Sequence, residues 1–95
     1  MSVYYKPLFR KFVKKQTRPF QLVIEDEVDK ITLKPDMGEA KKSDLAGLRA
    51  HKFSHKRQKF MIAYGLQDAD IVFFKIGSHE NFYRELKKYL REVGL

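Results

Sequence analysis

The sequence predicts an α+β domain, a small twisted antiparallel sheet with an N-terminal helical hairpin and a C-terminal helix. Three observations predict it. Two helix-period patterns, each with an early proline, fill the first third of the chain. Three short runs rich in β-branched and aromatic residues follow, parted by polar turns. A charged amphipathic pattern then closes the sequence. With 95 residues and 43% hydrophobic composition, the chain has material for one core, and residues 1–95 are read as a single domain.

Residues 2–5, "SVYY", alternate weakly and suggest a short strand. Pro7 then opens a helix, with Leu8, Phe9, Phe12 and Val13 on one face and Lys11, Lys14 and Lys15 on the other. Thr17, a hydroxyl able to cap, and Pro19 mark a second helix start. Phe20, Ile24, Val28 and Ile31 follow on one stripe, and Pro35 sets the helix end near Leu33. Residues 34–44 are polar, contain Pro and Gly, and read as a loop. Residues 45–53, 59–66 and 70–77 are three strands of an antiparallel meander; the last two are apolar on both faces, so the sheet is covered on both sides along part of its length. Residues 80–93 form the last helix, with Phe82, Leu86, Tyr89, Leu90 and Val93 on one stripe. The expected order is β-α-α-β-β-β-α.

Charge narrows the function. Twenty Lys and Arg against twelve Asp and Glu give a formal net charge of +8, which favours a polyanionic partner. No carboxylate occurs between Asp44 and Asp68, while Arg49, Lys52, Lys56, Arg57 and Lys59 all fall in that interval. The chain has no cysteine, which excludes disulfides and thiolate metal sites. Three histidines without HxH or HExxH spacing are a poor ligand set, so no metal is expected. Neither P-loop nor GxGxxG spacing occurs, and no cofactor is expected. No apolar run is long enough to span a bilayer and no secretory h-region opens the chain, so a soluble cytoplasmic protein is the expectation.

The stretch "KIGSHENFY", residues 75–83, ends an apolar strand and enters the last helix with an imidazole. Ser78 can cap that helix, and helix N-termini attract phosphate. The meander brings His79 to the rim of a face carrying Lys52 and Lys56, with Arg57 and Lys59 coming round the turn. His55, at the start of that turn, is freed from strict alternation. Metal-free RNA cleavage needs a base for the 2′-OH, cations for the charge that develops on phosphorus, and an acid for the 5′-oxygen. Histidine, lysine and arginine supply these near neutral pH. The residues alone also allow a plain helix cap with a surface histidine. Tyr83 reads equally as a base-stacking or proton-donating group and as core. His51 reads as structural or surface.

The element order, "DLAGLRAHKF" before the hairpin, "KFMIAY" in the next strand and "IGSHENFY" before the last helix together resemble the RelE/ParE superfamily of bacterial type II toxins, from about Leu8 to Leu90. The resemblance implies a RelE-like fold and a ribosome-dependent mRNA endoribonuclease that needs no metal and leaves a 2′,3′-cyclic phosphate. It implies His79 as catalytic, Tyr83 at the neighbouring aromatic position, Lys52 at a catalytic lysine position and His55 as a second candidate. Arg57 joins the catalytic group; Lys56, Lys59 and Arg49 are assigned to the RNA backbone. Met61 stands where many RelE-type nucleases carry an arginine, and His79 replaces their last-strand arginine, so the transition-state cation falls to Arg57, Lys56 or Lys59. The implied partners are a cognate antitoxin, the ribosome and mRNA. The alternative is a ParE-like or degenerate toxin that acts by binding DNA gyrase or the antitoxin only.

Overall fold

The computed structural model describes residues 2–93. In chain order the elements are β1 (Val3–Tyr5), α1 (Pro7–Lys14), α2 (Arg18–Leu33), β2 (Glu39–Ala40), β3 (Leu48–His55), β4 (Gln58–Gln67), β5 (Asp70–Ser78) and α3 (Phe82–Glu92), with a 3₁₀ turn at Ser43–Leu45 before β3. The α+β class holds. The sheet has five strands in the order β1-β5-β4-β3-β2. It is mixed rather than wholly antiparallel, because β1 lies parallel to β5, Val3 opposite Ile71. The connection between these two parallel strands runs through the helical hairpin and then β2, β3 and β4.

Two cores share this sheet. On one face α1 and α2 cover Phe60, Ile62, Tyr64, Ile71, Phe73 and Ile76 with Phe9, Phe20, Ile24, Val28 and Ile31. On the other, α3 covers Ala50, Met61, Ala63, Val72 and Phe74 with Phe82, Leu86 and Leu90. The central strands β4 and β5 are therefore buried on both faces, which is why their sequences run apolar without alternation.

One irregularity decides which side chains face which core. Tyr64 pairs with Phe73, but Ala63 pairs with Lys75, so Phe74 is an extra residue in β5. Such a bulge reverses the facing of everything beyond it. Phe73 packs under the helical hairpin, and unbroken alternation would send Lys75 and Gly77 there too. Instead Gly77 stands opposite Met61 on the α3 face, and Ile76 joins the hairpin core.

The segment read as a loop contains β2, whose Glu39 and Ala40 pair with Ala50 and Arg49. Two residues are too few to show a period. β3 begins at Leu48 rather than residue 45, since the 3₁₀ turn and Gly47 at φ +90° intervene. The last helix starts at Phe82, with Asn81 as its N-cap at φ 58°. Ser78 is not that cap; its Oγ accepts the Glu80 main-chain N–H at 3.3 Å and tightens the turn before the helix. Thr17 does occupy the N-cap of α2, without a side-chain capping bond.

Candidate functional site

The β3–β4 hairpin turns on Lys56 and Arg57, with His55 paired to Gln58. Both turn residues have positive φ, 50° and 66°. Right-handed sheet twist selects this two-residue turn, but it normally takes Asn-Gly, because left-handed backbone costs an L-residue with Cβ roughly 1–2 kcal/mol. A lysine and an arginine occupy these positions instead, holding two exposed cations at the tip of a strained turn.

Behind the tip the ladder lays residues in rows. Ser54 opposes Lys59; Lys52 opposes Met61, which opposes Gly77. The His79 main-chain N–H donates to the Lys59 carbonyl at 3.1 Å, continuing the β4–β5 ladder one residue past β5. Alternation from Gly77 carries His79 onto the α3 face, beside Lys59 and one row from Lys52. Adjacent strands lie about 4.8 Å apart, so this end of the sheet gathers an exposed imidazole and two exposed ammonium groups within about two strand spacings.

Tyr83, in the first turn of α3, packs against the same core. Its Oη is buried without a hydrogen-bond partner. The Lys41 ammonium lies 4.6 Å from its ring centroid. A hydrogen bond to Glu39 is the main cause that raises the Lys41 ammonium above the ordinary lysine range. Glu39 and Lys41 were hidden in the segment read as a loop, and they wall the site on the β2 side.

Two expected members stand elsewhere. His55 stays within β3, so alternation holds and its ring stacks on Phe20, centroids 4.5 Å apart and planes at 9°, under the helical hairpin. Arg49 shares that face, opposite Tyr64, and donates to the carbonyls of Asp36 at 3.1 Å and Gly38 at 2.7 Å. It pins the segment before β2 and does not reach the cation-rich end. His51 is structural, its Nε2 lying 2.7 Å from Glu27 Oε1 between β3 and α2.

Lys75 is a further cation on this side of the sheet. It lies on the α3 face, 8% exposed, 3.3 Å from Glu85 Oε1 and 5.2 Å from the Phe82 ring centroid. The signal was a single charge inside "DIVFFKIG". Among the described residues no three His, Asp or Glu side chains stand close enough to hold a metal ion, and no helix is long and apolar enough to cross a membrane. A concavity of about 720 Å³ between α1 and α2 shares none of the site residues.

Comparison with known proteins agrees with this architecture. A family model for the ParE-like toxin of type II bacterial toxin–antitoxin systems matches residues 3–87. Among solved structures, a free E. coli RelE toxin with two arginines replaced by alanine superposes with a TM-score of 0.73 at 10% identity, covering 99% of this chain and 97% of that one. The M. tuberculosis RelBE2 toxin–antitoxin complex gives 0.66 at 17% identity, covering 82% and 96%. The intact E. coli RelBE complex gives 0.64 at 10%, covering 81% and 94%. No curated protein matched the chain. At these identities the structural likeness speaks for the fold.

Proposed function

The chain belongs to the ParE-like toxins of type II bacterial toxin–antitoxin systems, and on that footing we propose that it is an endoribonuclease that cleaves mRNA on the ribosome. The observation that carries this reading is the convergence of His79, Lys59 and Lys52 on one face at the end bounded by the Lys56–Arg57 turn. A protein that only bound another protein would need no imidazole there.

The chemistry follows from the groups. A base removes the proton of a 2′-OH; its oxygen bonds to the adjacent phosphorus as the bond to the 5′-oxygen breaks, and an acid protonates the leaving oxygen. The products are a 2′,3′-cyclic phosphate and a 5′-hydroxyl, and the balance calls for no metal. His79 acts as one of the proton-transfer groups. Lys52 and Arg57 stabilise the phosphorane charge, and Lys56 and Lys59 hold the backbone. Tyr83 positions a base by packing. Arg49 and His55 have no part in this scheme. The 2′-OH requirement restricts the reaction to RNA.

A cognate antitoxin is the protein partner this reading requires, as in the toxin–antitoxin complexes of similar fold. The cationic end is the surface it has to neutralise, so its affinity falls as salt rises. The site of action is the cytoplasm, where ribosomes are.

The ParE-like description of the family favours a second reading, a toxin that acts on DNA gyrase by binding. Two assays separate them. Purified protein added to ribosomes carrying mRNA cuts the message on the first reading. Intact message together with inhibited gyrase supercoiling overturns it in favour of the second.

A further inference from the structure

Among the described residues, Lys75 and Glu27 are the charged side chains that the fold buries. Glu27 is bridged by His51 at 2.7 Å and Lys30 at 2.8 Å. Lys75 is served less well. Among the described residues its ion-pair partner is Glu85, whose largely exposed carboxylate is 3.3 Å away, and the Phe82 ring centroid lies 5.2 Å from its ammonium. Its stem is packed into a strand that is otherwise apolar, while its ammonium is held by that exposed carboxylate and the aromatic face, an arrangement an aliphatic residue in the same strand would not need. A single charge held inside an otherwise apolar strand is a candidate functional group.

Its direction is informative. A methyl group placed on Gly77 would meet Lys75 Nζ at 3.5 Å. The side chain therefore runs along β5 toward the catalytic end, and its ammonium lies over the residue that has no side chain to cover it. Gly77 is in register with Met61, and Met61 with Lys52. The row thus carries an ammonium at each end with a buried thioether between them, and His79 follows two residues beyond Gly77. The bulge at Phe74 is what brings Lys75 to this face at all.

We infer that Lys75 is a phosphate-binding residue of the RNA site, anchoring a backbone phosphate on the β5 side while Lys52 and Lys59 hold it on the β3–β4 side. Glu85 keeps the ammonium in place in the free protein, and an RNA phosphate oxygen replaces that carboxylate on binding. This rests on the ribonuclease reading, since it places RNA on the α3 face.

The test uses a short single-stranded RNA whose 2′-oxygens are methylated, so that it binds without being cut. Affinity is measured by fluorescence anisotropy across a salt series. Removing one phosphate contact from a single-stranded complex lowers the log–log salt slope by about 0.7. Lys75→Met is expected to show that loss, with affinity at low salt down roughly tenfold, the scale of one charge-assisted contact. Lys75→Arg keeps the slope. Glu85→Gln removes the competing carboxylate and binds more tightly than wild type at low salt. A wild-type slope in Lys75→Met, or no tightening in Glu85→Gln, overturns the role of Lys75; the latter decides the matter even if Lys75→Met fails to fold. Cleavage of ribosome-bound mRNA by the wild type reports separately on the ribonuclease reading. A wild type that binds no RNA overturns both.

Discussion

The main-chain N–H of His79 donates to the carbonyl of Lys59 at 3.1 Å, although His79 lies one residue beyond β5. That bond fixes the backbone of the imidazole-bearing residue against a lysine on the neighbouring strand, in front of the turn that leads to Asn81. Geometry this close to the sheet suits a proton-transfer group, whose contribution depends on position more than on reach.

His79→Ala keeps the main-chain bond and removes the ring. It is expected to lower cleavage of ribosome-bound mRNA by about 100- to 10,000-fold, the range of one general acid or base. The thermal midpoint should be unchanged, because the side chain is exposed. Equal cleavage by the variant and the wild type would remove His79 from the mechanism.

The Lys56–Arg57 turn predicts a trade of stability against binding. Lys56→Asn with Arg57→Gly places residues that accept positive φ at both positions. After the chain-entropy cost of glycine, the double variant should gain about 1 kcal/mol. For a domain of this size that is roughly 4–8 °C in Tm. Losing both cations should weaken RNA binding and lower its salt slope by about 1.4. Scanning calorimetry and anisotropy read the two halves. A variant that is neither more stable nor weaker in binding would show that the turn carries no functional strain.

Legibility in the sequence followed the length of each signal. The helices were readable because Phe20, Ile24, Val28 and Ile31 repeat over four turns and Pro7, Pro19 and Pro35 punctuate them. The meander was readable because "SHKRQ" and "QDAD" interrupt apolar runs, and it already places Lys52, Lys59 and His79 at one end. Their common face was not readable. It depends on the extra residue Phe74, and a bulge inside "DIVFFKIG" leaves no mark on an apolar run buried on both sides. His55 stands on the opposite face because the turn is two residues long, which keeps His55 in the strand. The parallel pairing of β1 with β5 is a long-range choice that a three-residue strand cannot announce.

Tyr64 is fully buried in β4, and its Oη donates to the Pro35 carbonyl at 2.7 Å and accepts the Gly38 N–H at 2.9 Å. This one hydroxyl ties the chain after α2 to the sheet, just before β2 delivers Glu39 and Lys41 to the site. Tyr64→Phe leaves both main-chain groups unpaired and is expected to cost about 1–3 kcal/mol. Gly38→Ala strains the same junction, since its Cβ would meet Tyr64 Oη at 2.6 Å. Urea unfolding should show a lower midpoint for each with an unchanged m-value. A Tyr64→Phe variant as stable as wild type would mean that water replaces the hydroxyl without loss.

Glu27 predicts the acid limb of stability. Burial alone would raise its carboxyl, but hydrogen bonds and charge from Lys30 and His51 outweigh that and hold it below its ordinary value of 4.5. A carboxyl depressed in the folded state contributes stability that is fully present above the unfolded value and is lost as pH falls through the folded one. The loss therefore begins near pH 4.5 and continues below it. Glu27→Gln removes the titrating group but leaves His51 and Lys30 facing an amide. It should be less stable than wild type at neutral pH, and the gap should close as pH drops below 4.5. Urea midpoints for both proteins between pH 3 and pH 7 measure this, the bounds set by the range over which a carboxyl titrates. A gap that stays constant across that range would show that Glu27 acts through packing and that its charge contributes nothing.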